Sequence, residues 1–210
     1  MSSLTIRPFR SGDEPSLAKI CCETGNNGKD GTGLLSDDRL WGDIWVLPYV
    51  KRDPQLAWVV EDLDGQVIGY TVGTDDSDAF NQWYKESWWP AESKKYERPP
   101  TSSGGPSREQ TFFKIADETG STPLNSSLRE YPAHLHIDLL PPAQGKGLGR
   151  KMIRTLLQAM QDRGIKGVHL GASAENHSAC AFYQKIGFGE VPTQDKGSRI
   201  FVWDLTKPLQ

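Results

Sequence analysis

A glycine-rich segment between an apolar strand and a helix constrains this chain more than any other feature. The segment, residues 144–149, follows the extended apolar stretch 135–140 and precedes an amphipathic helix that is predicted to begin at Arg150. Glycines at alternate positions remove the side chains that would hold a phosphate away from the backbone. The first N–H groups of a helix lack intrahelical partners and lie at its positive end, where they favour an anion. The pattern predicts a pyrophosphate site made by Gln144, Gly145, Lys146, Gly147, Leu148 and Gly149.

Glycine clusters also occur in loops where only the turn geometry requires glycine. The loop alone therefore does not decide whether this segment binds phosphate. Two specific nucleotide motifs are excluded by their spacing. Lys146 lies between the glycines, whereas the P-loop lysine follows the last glycine and precedes Ser or Thr. The dinucleotide motif requires G-x-G-x-x-G and an acidic residue about 20 positions later, a spacing that this sequence does not have.

A second block after the helix makes the pattern more specific. A strand is predicted over residues 167–173, and residues 176–188 read N-x-x-A-x-x-F-Y-x-K-x-G-F. The glycine loop and this block, in this order, resemble the GNAT superfamily of acetyl-CoA-dependent N-acetyltransferases over residues 134–190.

The N-terminal part of the chain narrows the resemblance. It is similar to the acetyltransferase-like domain of animal O-GlcNAcases and to the stand-alone microbial relatives of that domain. The segments that carry this similarity are residues 6–13, 20–25, 58–62 and 69–75. Animal members tend to lack the glycine loop, which this chain retains, so the resemblance implies that this chain is competent to bind acetyl-CoA.

Composition indicates one cytoplasmic domain, residues 1–210, without nucleic-acid or membrane partners. The net charge of −3 gives no broad attraction to nucleic acid or to anionic membranes. No apolar run reaches the roughly 18 residues of a membrane span, and no signal region precedes the first strand. Cys21, Cys22 and Cys180 have no C-x-x-C spacing, which predicts reduced thiols and no metal site.

The remaining sequence predicts strands and helices around one sheet. Strands are predicted over residues 4–10, 57–62, 67–75, 135–140, 167–173 and 200–205, and helices over 13–24, 37–49, 107–118, 150–163 and 178–186. We expect Asp13 to cap the first helix, Asp64-Gly65 to turn a hairpin, and Ser107 with Gln110 to form a capping box. The predicted class is α/β, with a mixed, mostly antiparallel sheet flanked by helices, which is the GNAT fold that the resemblance implies.

A long insert, residues 77–131, separates two strands of the predicted sheet and exceeds the length of most connections. Such insertions often form lids, which predicts an acceptor-site wall that contains Trp88 and Trp89. The alternative is that the aromatic side chains only pack the inserted helices onto the sheet, and we favour this interpretation for Trp83.

The resemblance also implies where acetyl-CoA binds. In the GNAT fold, the strand before the glycine loop and the strand after its helix splay apart to admit the coenzyme. The splay is expected to leave backbone groups of Leu139 and Leu140 unpaired, and the pantetheine amides would satisfy them. Asn176 matches the residue that hydrogen-bonds the pantetheine arm, although Asn is also an ordinary helix N-cap. Lys146, Arg150 and Lys185 are candidates for the nucleotide phosphates, and solvated surface charge is their alternative role.

Three polar residues, His134, His136 and Asp138, alternate along the strand before the loop and therefore share one face. An amine with a pKa near 10.4 costs roughly 4 to 5 kcal/mol to deprotonate at neutral pH, so a general base is needed. We predict that Asp138 binds or deprotonates the amine and that His136 relays the proton. The alternative is that the apolar residues 135, 137 and 139 face the cleft, unless a bulge changes the phase.

Tyr183 matches the family position whose phenol protonates the departing thiolate, and packing of its ring on the sheet is the alternative role. A backbone N–H near Leu139 or Leu140 is expected to stabilise the oxyanion. The resulting hypothesis is an N-acetyltransferase that passes the acetyl group of acetyl-CoA directly to a primary amine in a ternary complex. A small-molecule amine and a protein lysine both remain open as acceptor, as does a homodimer. The rival hypothesis is a catalytically weak or inactive acyl-CoA-binding module that acts as a sensor or scaffold.

Overall fold

The computed structural model describes residues 4–100 and 105–209. These residues contain seven strands: β1 (Thr5–Pro8), β2 (Ala57–Glu61), β3 (Val67–Thr74), β4 (Ala133–Leu139), β5 (Gly167–Ser173), β6 (Gly189–Val191) and β7 (Ser198–Asp204). The strands form one sheet in the order β1-β2-β3-β4-β5-β7-β6. Within the described strands, β4 and β5 are parallel and all other neighbours are antiparallel.

The helices of the described residues lie on both faces of the sheet. They are α1 (Glu14–Thr24), α2 (Arg39–Trp45), α3 (Leu47–Arg52), α4 (Ser77–Trp83), α5 (Trp89–Glu92), α6 (Arg108–Glu118), α7 (Leu148–Asp162) and α8 (His177–Ile186). On one face, the first two helices pack their buried side chains with Tyr70 and Val72 of β3. On the opposite face, α7 packs Leu156 and Met160 with Leu135 of β4. Each large apolar side chain buried in this way contributes about 1.5–3 kcal/mol, so α7 and the loop before it are held firmly to the sheet.

The parallel pair of strands separates soon after it begins. The pairs between β4 and β5 are Ala133 with Val168 and His134 with His169. On its other side, β4 pairs with β3 as far as Leu139. Strand β5 has therefore left β4 over most of the length of β4, and the predicted splay is present.

The predicted fold class is confirmed, and two local predictions agree closely with the structure. Strand β5 has the predicted bounds, and α6 begins and ends within one residue of the prediction. The capping box before α6 is formed, because the hydroxyl of Ser107 accepts the N–H of Gln110 at 3.1 Å and the side chain of Gln110 accepts the N–H of Ser107 at 2.7 Å.

Other local predictions are wrong. Residues 37–49 form two helices, because the backbone leaves helical geometry at Val46 and Pro48 starts a new first turn in α3. Asp13 precedes α1 without capping it, since its carboxylate accepts two hydrogen bonds, of 2.7 and 2.9 Å, from the guanidinium of Arg7. The short strand β6 was not predicted, because three residues carry too little periodicity to distinguish them from a loop.

The insert folds onto the same face as α1. It comprises α4, a π-helical turn at Tyr84–Trp88, α5 and α6, and it contributes Phe80, Trp89 and Phe113 to the core. Across residues 4–100 and 105–209, no helix has both the length and the apolar character needed to cross a bilayer.

Candidate active site

The backbone groups of β4 alternate in direction. Those of one residue form hydrogen bonds with β3, and those of the next residue face the gap left by β5. The N–H of Leu140 donates to the carbonyl of Ile68 at 2.9 Å. In an antiparallel ladder, the residues that bond one neighbour alternate with those that face away from it. Residues 134, 136 and 138 therefore pair toward β3, and Ile137 and Leu139 direct their N–H groups into the gap.

This alternation corrects one predicted site residue. Leu140 was expected to offer an unpaired backbone group, but its N–H is bonded to Ile68 and its carbonyl accepts the N–H of Ala143 at 2.9 Å. Leu139 does face the gap. Its carbonyl accepts the side-chain amide of Gln144 at 2.7 Å, which ties the glycine loop to the end of β4.

The glycine loop has room for an anion. Gly145 and Gly147 have φ angles of +69° and +75°, and no heavy atom lies within 4 Å of the place where either would carry a Cβ. Gly147 is the N-cap of α7, and no side chain caps this helix. The N–H groups of the first turn are thus left to an external acceptor, so the loop fits a phosphate by geometry as well as by sequence.

Gly149 has a different function from the other two glycines. It is buried in the first turn of α7, and a Cβ on it would lie 3.1 Å from the ring of Phe182 in α8. Gly149 therefore allows α7 and α8 to approach each other. The basic side chains of Lys146, Arg150 and Lys185 are exposed around the loop, and the guanidinium of Arg150 donates to the carbonyl of Lys185 at 3.3 Å.

Asn176 caps α8, as the alternative interpretation of this residue predicted. Its side-chain oxygen accepts the N–H of Ala179 at 3.1 Å. The amide nitrogen of the same side chain lies 3.7 Å from the position of a Cβ on Gly28. The glycine-rich loop after α1 therefore covers the start of α8, and the role of Asn176 toward a pantetheine arm stays a prediction.

The even-numbered residues of β4 face α1 and α3. The hydroxyl of Tyr49 lies 2.6 Å from Nε2 of His134 and 2.9 Å from Nε2 of His136. Asp138 accepts a short hydrogen bond from the hydroxyl of Tyr70, its register partner on β3. The pairing of β3 with β4 is uninterrupted from His134 to the end of the strand, so no bulge changes the phase of these side chains.

Burial shifts the ionisation of this face toward neutral forms. Burial raises the pKa of Asp138, and the hydrogen bond from Tyr70 partly opposes the shift. Burial, reinforced by the charge of His169, lowers the pKa of His136 to about 4. The pKa of His134 lies well below its ordinary value for the same main reason.

Three polar atoms of this region have no protein partner and still contact solvent. Within the described residues, the side-chain atoms that are both buried and unbonded are Nε1 of Trp41 and the hydroxyl of Tyr84. Nδ1 of His136, Oδ1 of Asp138 and the hydroxyl of Tyr183 have no hydrogen bond in the described part of the chain, and they are not among those buried atoms. Each of them therefore keeps some contact with solvent.

Tyr183 presents its phenol from α8. Its residue surface is 8% exposed, and its ring packs against Phe188 and Phe201 at centroid distances of 5.8 and 5.4 Å. Burial, followed by the negative charge of Asp138, raises the pKa of the phenol, which keeps it protonated at neutral pH. The ring is thus packed, as the alternative role predicted, while its hydroxyl remains open.

The two predicted tryptophans differ in position. Trp89 is 5% exposed, its indole N–H donates to Asp117 at 2.7 Å, and its ring stacks on Tyr84 at 6.3 Å. The prediction that Trp89 lines an acceptor pocket is therefore corrected, because both the ring and the N–H are used within the insert. Trp88 is half-buried, packs on Trp83 at 5.9 Å and donates its N–H to the carbonyl of Asp43 at 2.8 Å.

Trp45, an aromatic residue that sequence reasoning missed as part of the site, lies near β4. The half-buried ring of Trp45 lies 6.4 Å from the ring of His136 and 6.0 Å from that of Phe112. Tyr49, Tyr70 and Ser77 were also missed. The periodicity of each segment marks such residues as core, and their placement against β4 depends on contacts distant in sequence.

Comparison with known proteins shows the family and supports the fold. The model of the "Acetyltransferase (GNAT) family" matches residues 115–188. The crystal structure of SsHAT is 32% identical, covers 98% of this chain and 100% of its own, and superposes with a TM-score of 0.87. The Salmonella typhimurium protein yncA, solved with its cofactor acetyl-CoA, shares the fold at a TM-score of 0.55 and 16% identity over 97% of this chain and 95% of its own.

Among curated proteins, the Protein O-GlcNAcase of Rattus norvegicus is 29% identical over 89% of this chain. The mouse protein is 28% identical over the same share. This chain spans about a fifth of the length of these enzymes, as 20% of each is covered. The match to SsHAT extends over the full length, and the family model matches across the glycine loop and α8. The chain therefore belongs to the GNAT acetyltransferase family.

Proposed function

We propose that this protein is an N-acetyltransferase that passes an acetyl group from acetyl-CoA directly to a primary amine in a ternary complex. The observation that carries the proposal is that alternate residues of β4 face two different parts of the site. Its odd-numbered backbone faces a gap that leads to an open glycine loop, and its even-numbered side chains present free polar atoms beside the same strand. Cosubstrate and acceptor can therefore meet at one strand.

The residues around the gap fit acetyl-CoA, whose thioester carbonyl is the electrophile of the reaction. The N–H groups of Gly147 and of the first turn of α7 would hold the diphosphate, with Lys146 and Arg150 supplying positive charge. Ile137 and the carbonyl of Leu139 would bond the pantetheine amides as a neighbouring strand does. The protein yncA, which shares the fold, was solved with acetyl-CoA as its cofactor, which supports this assignment.

Asp138 and His136 would lower the cost of deprotonating the amine. Oδ1 of Asp138 and Nδ1 of His136 are both open, and at neutral pH the imidazole is uncharged because its pKa is about 4. A carboxylate at Asp138 would hold the ammonium form of the acceptor and raise the pKa of that amine, whereas the low polarity around it lowers the same pKa. The neutral amine then attacks while its proton passes to one of these two groups.

Leu139 and Tyr183 would stabilise the negative charges that develop on the carbonyl oxygen and on the departing thiolate. The N–H of Leu139 replaces that of Leu140 as the donor to the carbonyl oxygen, because Leu140 is already bonded to Ile68. The phenol of Tyr183, held protonated by its raised pKa, would donate its proton to the departing thiolate.

The acceptor is an amine that reaches β4 past Trp45 and Phe112, and both a small molecule and a protein lysine fit this description. Cysteine placement gives no alternative nucleophile at the surface, since Cys21, Cys22 and Cys180 are all free and buried.

The test is to incubate the protein with acetyl-CoA and a panel of amines while the release of free thiol is followed. Thiol release that depends on the amine and falls by about 10²-fold or more in Asp138→Asn supports the proposal. The control is Asp162→Asn, which removes an exposed carboxylate at the end of α7. Binding of acetyl-CoA without amine-dependent release across the panel would refute the enzyme and favour the acyl-CoA-binding module.

A further inference from the structure

A chain of hydrogen bonds leads from His136 into the interior of the molecule. The hydroxyl of Tyr49 lies between Nε2 of His136, at 2.9 Å, and Nε2 of His134, at 2.6 Å. Nδ1 of His134 lies 2.6 Å from the hydroxyl of Ser77, which in turn lies 2.6 Å from the carbonyl of Pro132. The chain therefore has the order His136, Tyr49, His134, Ser77, Pro132.

The last member of the chain determines the direction of every bond in it. A carbonyl only accepts, so the single hydroxyl proton of Ser77 lies between Ser77 and Pro132. Ser77 must then accept a proton from Nδ1 of His134. The reverse order would leave two oxygens 2.6 Å apart with no proton between them.

The same argument applies to the other end of the chain, at His136. With its proton on Nδ1, neutral His134 accepts at Nε2 from the hydroxyl of Tyr49, and Tyr49 accepts from Nε2–H of His136. Both imidazoles are neutral at pH 7, because burial lowers their pKa values. The two histidines thus carry opposite tautomers, and the lone pair of His136 is on Nδ1, the atom that has no protein partner and keeps some contact with solvent.

We infer that Ser77, His134 and Tyr49 are positioning residues that hold His136 in the tautomer whose Nδ1 accepts a proton from the acceptor amine. The chain orients His136 and does not conduct a proton, since its inner end already carries a proton on the bond to Pro132. In the reaction the neutral amine attacks the thioester carbonyl, an N–H bond of the cationic adduct breaks, an Nδ1–H bond forms, and the imidazolium later returns that proton to solvent. The use of Nδ1 as a base rests on the proposed function, whereas the two tautomers do not.

The tautomers can be measured without any turnover. In protein with ¹⁵N-labelled histidine at pH 7, NMR distinguishes protonated from unprotonated ring nitrogens. We expect His134 to carry its proton on Nδ1 and His136 on Nε2. The same tautomer on both residues would overturn the inference, whatever the activity of the protein.

Substitution of Ser77 tests the direction of the chain. In Ser77→Ala, His134 loses the acceptor for Nδ1–H, so its proton moves to Nε2 and donates to Tyr49. The hydroxyl of Tyr49 then donates to Nε2 of His136, which moves the proton of His136 to Nδ1 and blocks the base. We expect the reversed tautomer of His136 by NMR and a loss in kcat/KM on the order of 10²-fold.

Two further variants make this result decisive. Thr74→Val removes a neighbouring buried hydroxyl that bonds no imidazole, so both tautomers and the kinetics should be unchanged. In a Tyr49→Phe background the link is absent, so adding Ser77→Ala should no longer alter His136. A folded Ser77→Ala protein in which His136 keeps its proton on Nε2 would refute the inference. If Ser77→Ala fails to fold, the wild-type spectrum alone decides it.

Discussion

Placing a carboxylate at Gly147 should strongly weaken acetyl-CoA binding by charge and not by shape. Gly147 caps α7 with a φ of +75°, and a Cβ at this residue would enter open space. The substitution Gly147→Asp therefore brings no steric clash. It directs a negative charge toward the same N–H groups that would hold the diphosphate.

The magnitude follows from the geometry. A unit charge about 6 Å from a bound anion, at an effective dielectric constant near 20, costs about 3 kcal/mol. This penalty corresponds to a rise in Kd of about 10²-fold. A left-handed backbone costs a non-glycine residue about 1–2 kcal/mol, but this strain is present with and without ligand and so reduces stability without reducing affinity.

Two control variants separate charge from strain. Gly147→Asn has nearly the same shape as Gly147→Asp but no charge, so its Kd should rise by less than about fivefold, since the charge penalty is absent. Gly164→Asp carries the same charge at a glycine with a φ of +77° and open surroundings, beyond the other end of α7. A helix of 15 residues is about 22 Å long, so this charge is screened from the loop.

The assay is isothermal titration of acetyl-CoA into each variant, with thermal unfolding to measure the strain. We expect both aspartate variants to lose similar stability and only Gly147→Asp to lose affinity. Equal affinity of Gly147→Asp and Gly164→Asp for acetyl-CoA would refute the assignment of the diphosphate to this loop. Equal loss in Gly147→Asn and Gly147→Asp would refute the electrostatic argument.

Three further predictions concern the face of β4 and the insert. Tyr70→Phe removes the hydrogen bond that lowers the pKa of Asp138, so the acidic limb of the kcat/KM–pH profile should move to a higher pH by about one unit. An acidic limb at the same pH would show that Asp138 does not govern it. The folded pKa of His136, about 4, lies below its unfolded value, so its contribution to the free energy of unfolding is complete above pH 6.5 and is lost as pH falls toward 4. Urea titrations of His136→Gln should therefore lack up to about 3 kcal/mol of the acid destabilisation of the wild type. Trp45→Ala should raise the KM for the amine without changing the Kd for acetyl-CoA, whereas Trp89→Ala should lower stability by about 3–5 kcal/mol with no specific effect on KM.

The cofactor half of the candidate site could be predicted from the sequence because it depends on neighbours along the chain. Open glycines before a helix, an N-cap at Asn176 and the strand at 167–173 are all local patterns, and each is present in the structure. Leu140 was misassigned, and the packing role of Gly149 was missed, for the opposite reason. The contact of Gly149 with Phe182 and the bond of Leu140 to Ile68 both join segments that are distant in sequence.

The acceptor half depends almost wholly on such distant contacts. Tyr49 reaches β4 from 85 positions away and Ser77 from 57 positions away. In the sequence these are a tyrosine on an apolar helix and a serine before another helix, which are ordinary core and cap residues. Trp89 was misassigned in the same way, because an aromatic run does not reveal which ring finds a partner in the interior.

Strand β4 explains why one short segment can carry both halves of the reaction. Its even-numbered residues form their backbone hydrogen bonds with β3 and direct their side chains toward α1 and α3. Burial and hydrogen bonds there determine the protonation of these side chains. Its odd-numbered residues pack their side chains against α7 and leave backbone groups to the gap. A shift of one residue in the pairing of β3 with β4 would exchange these roles at every position, placing Ile137 where a base is needed. The unbroken register from Gly69 to Thr74 is therefore as much a part of the candidate active site as Asp138 itself.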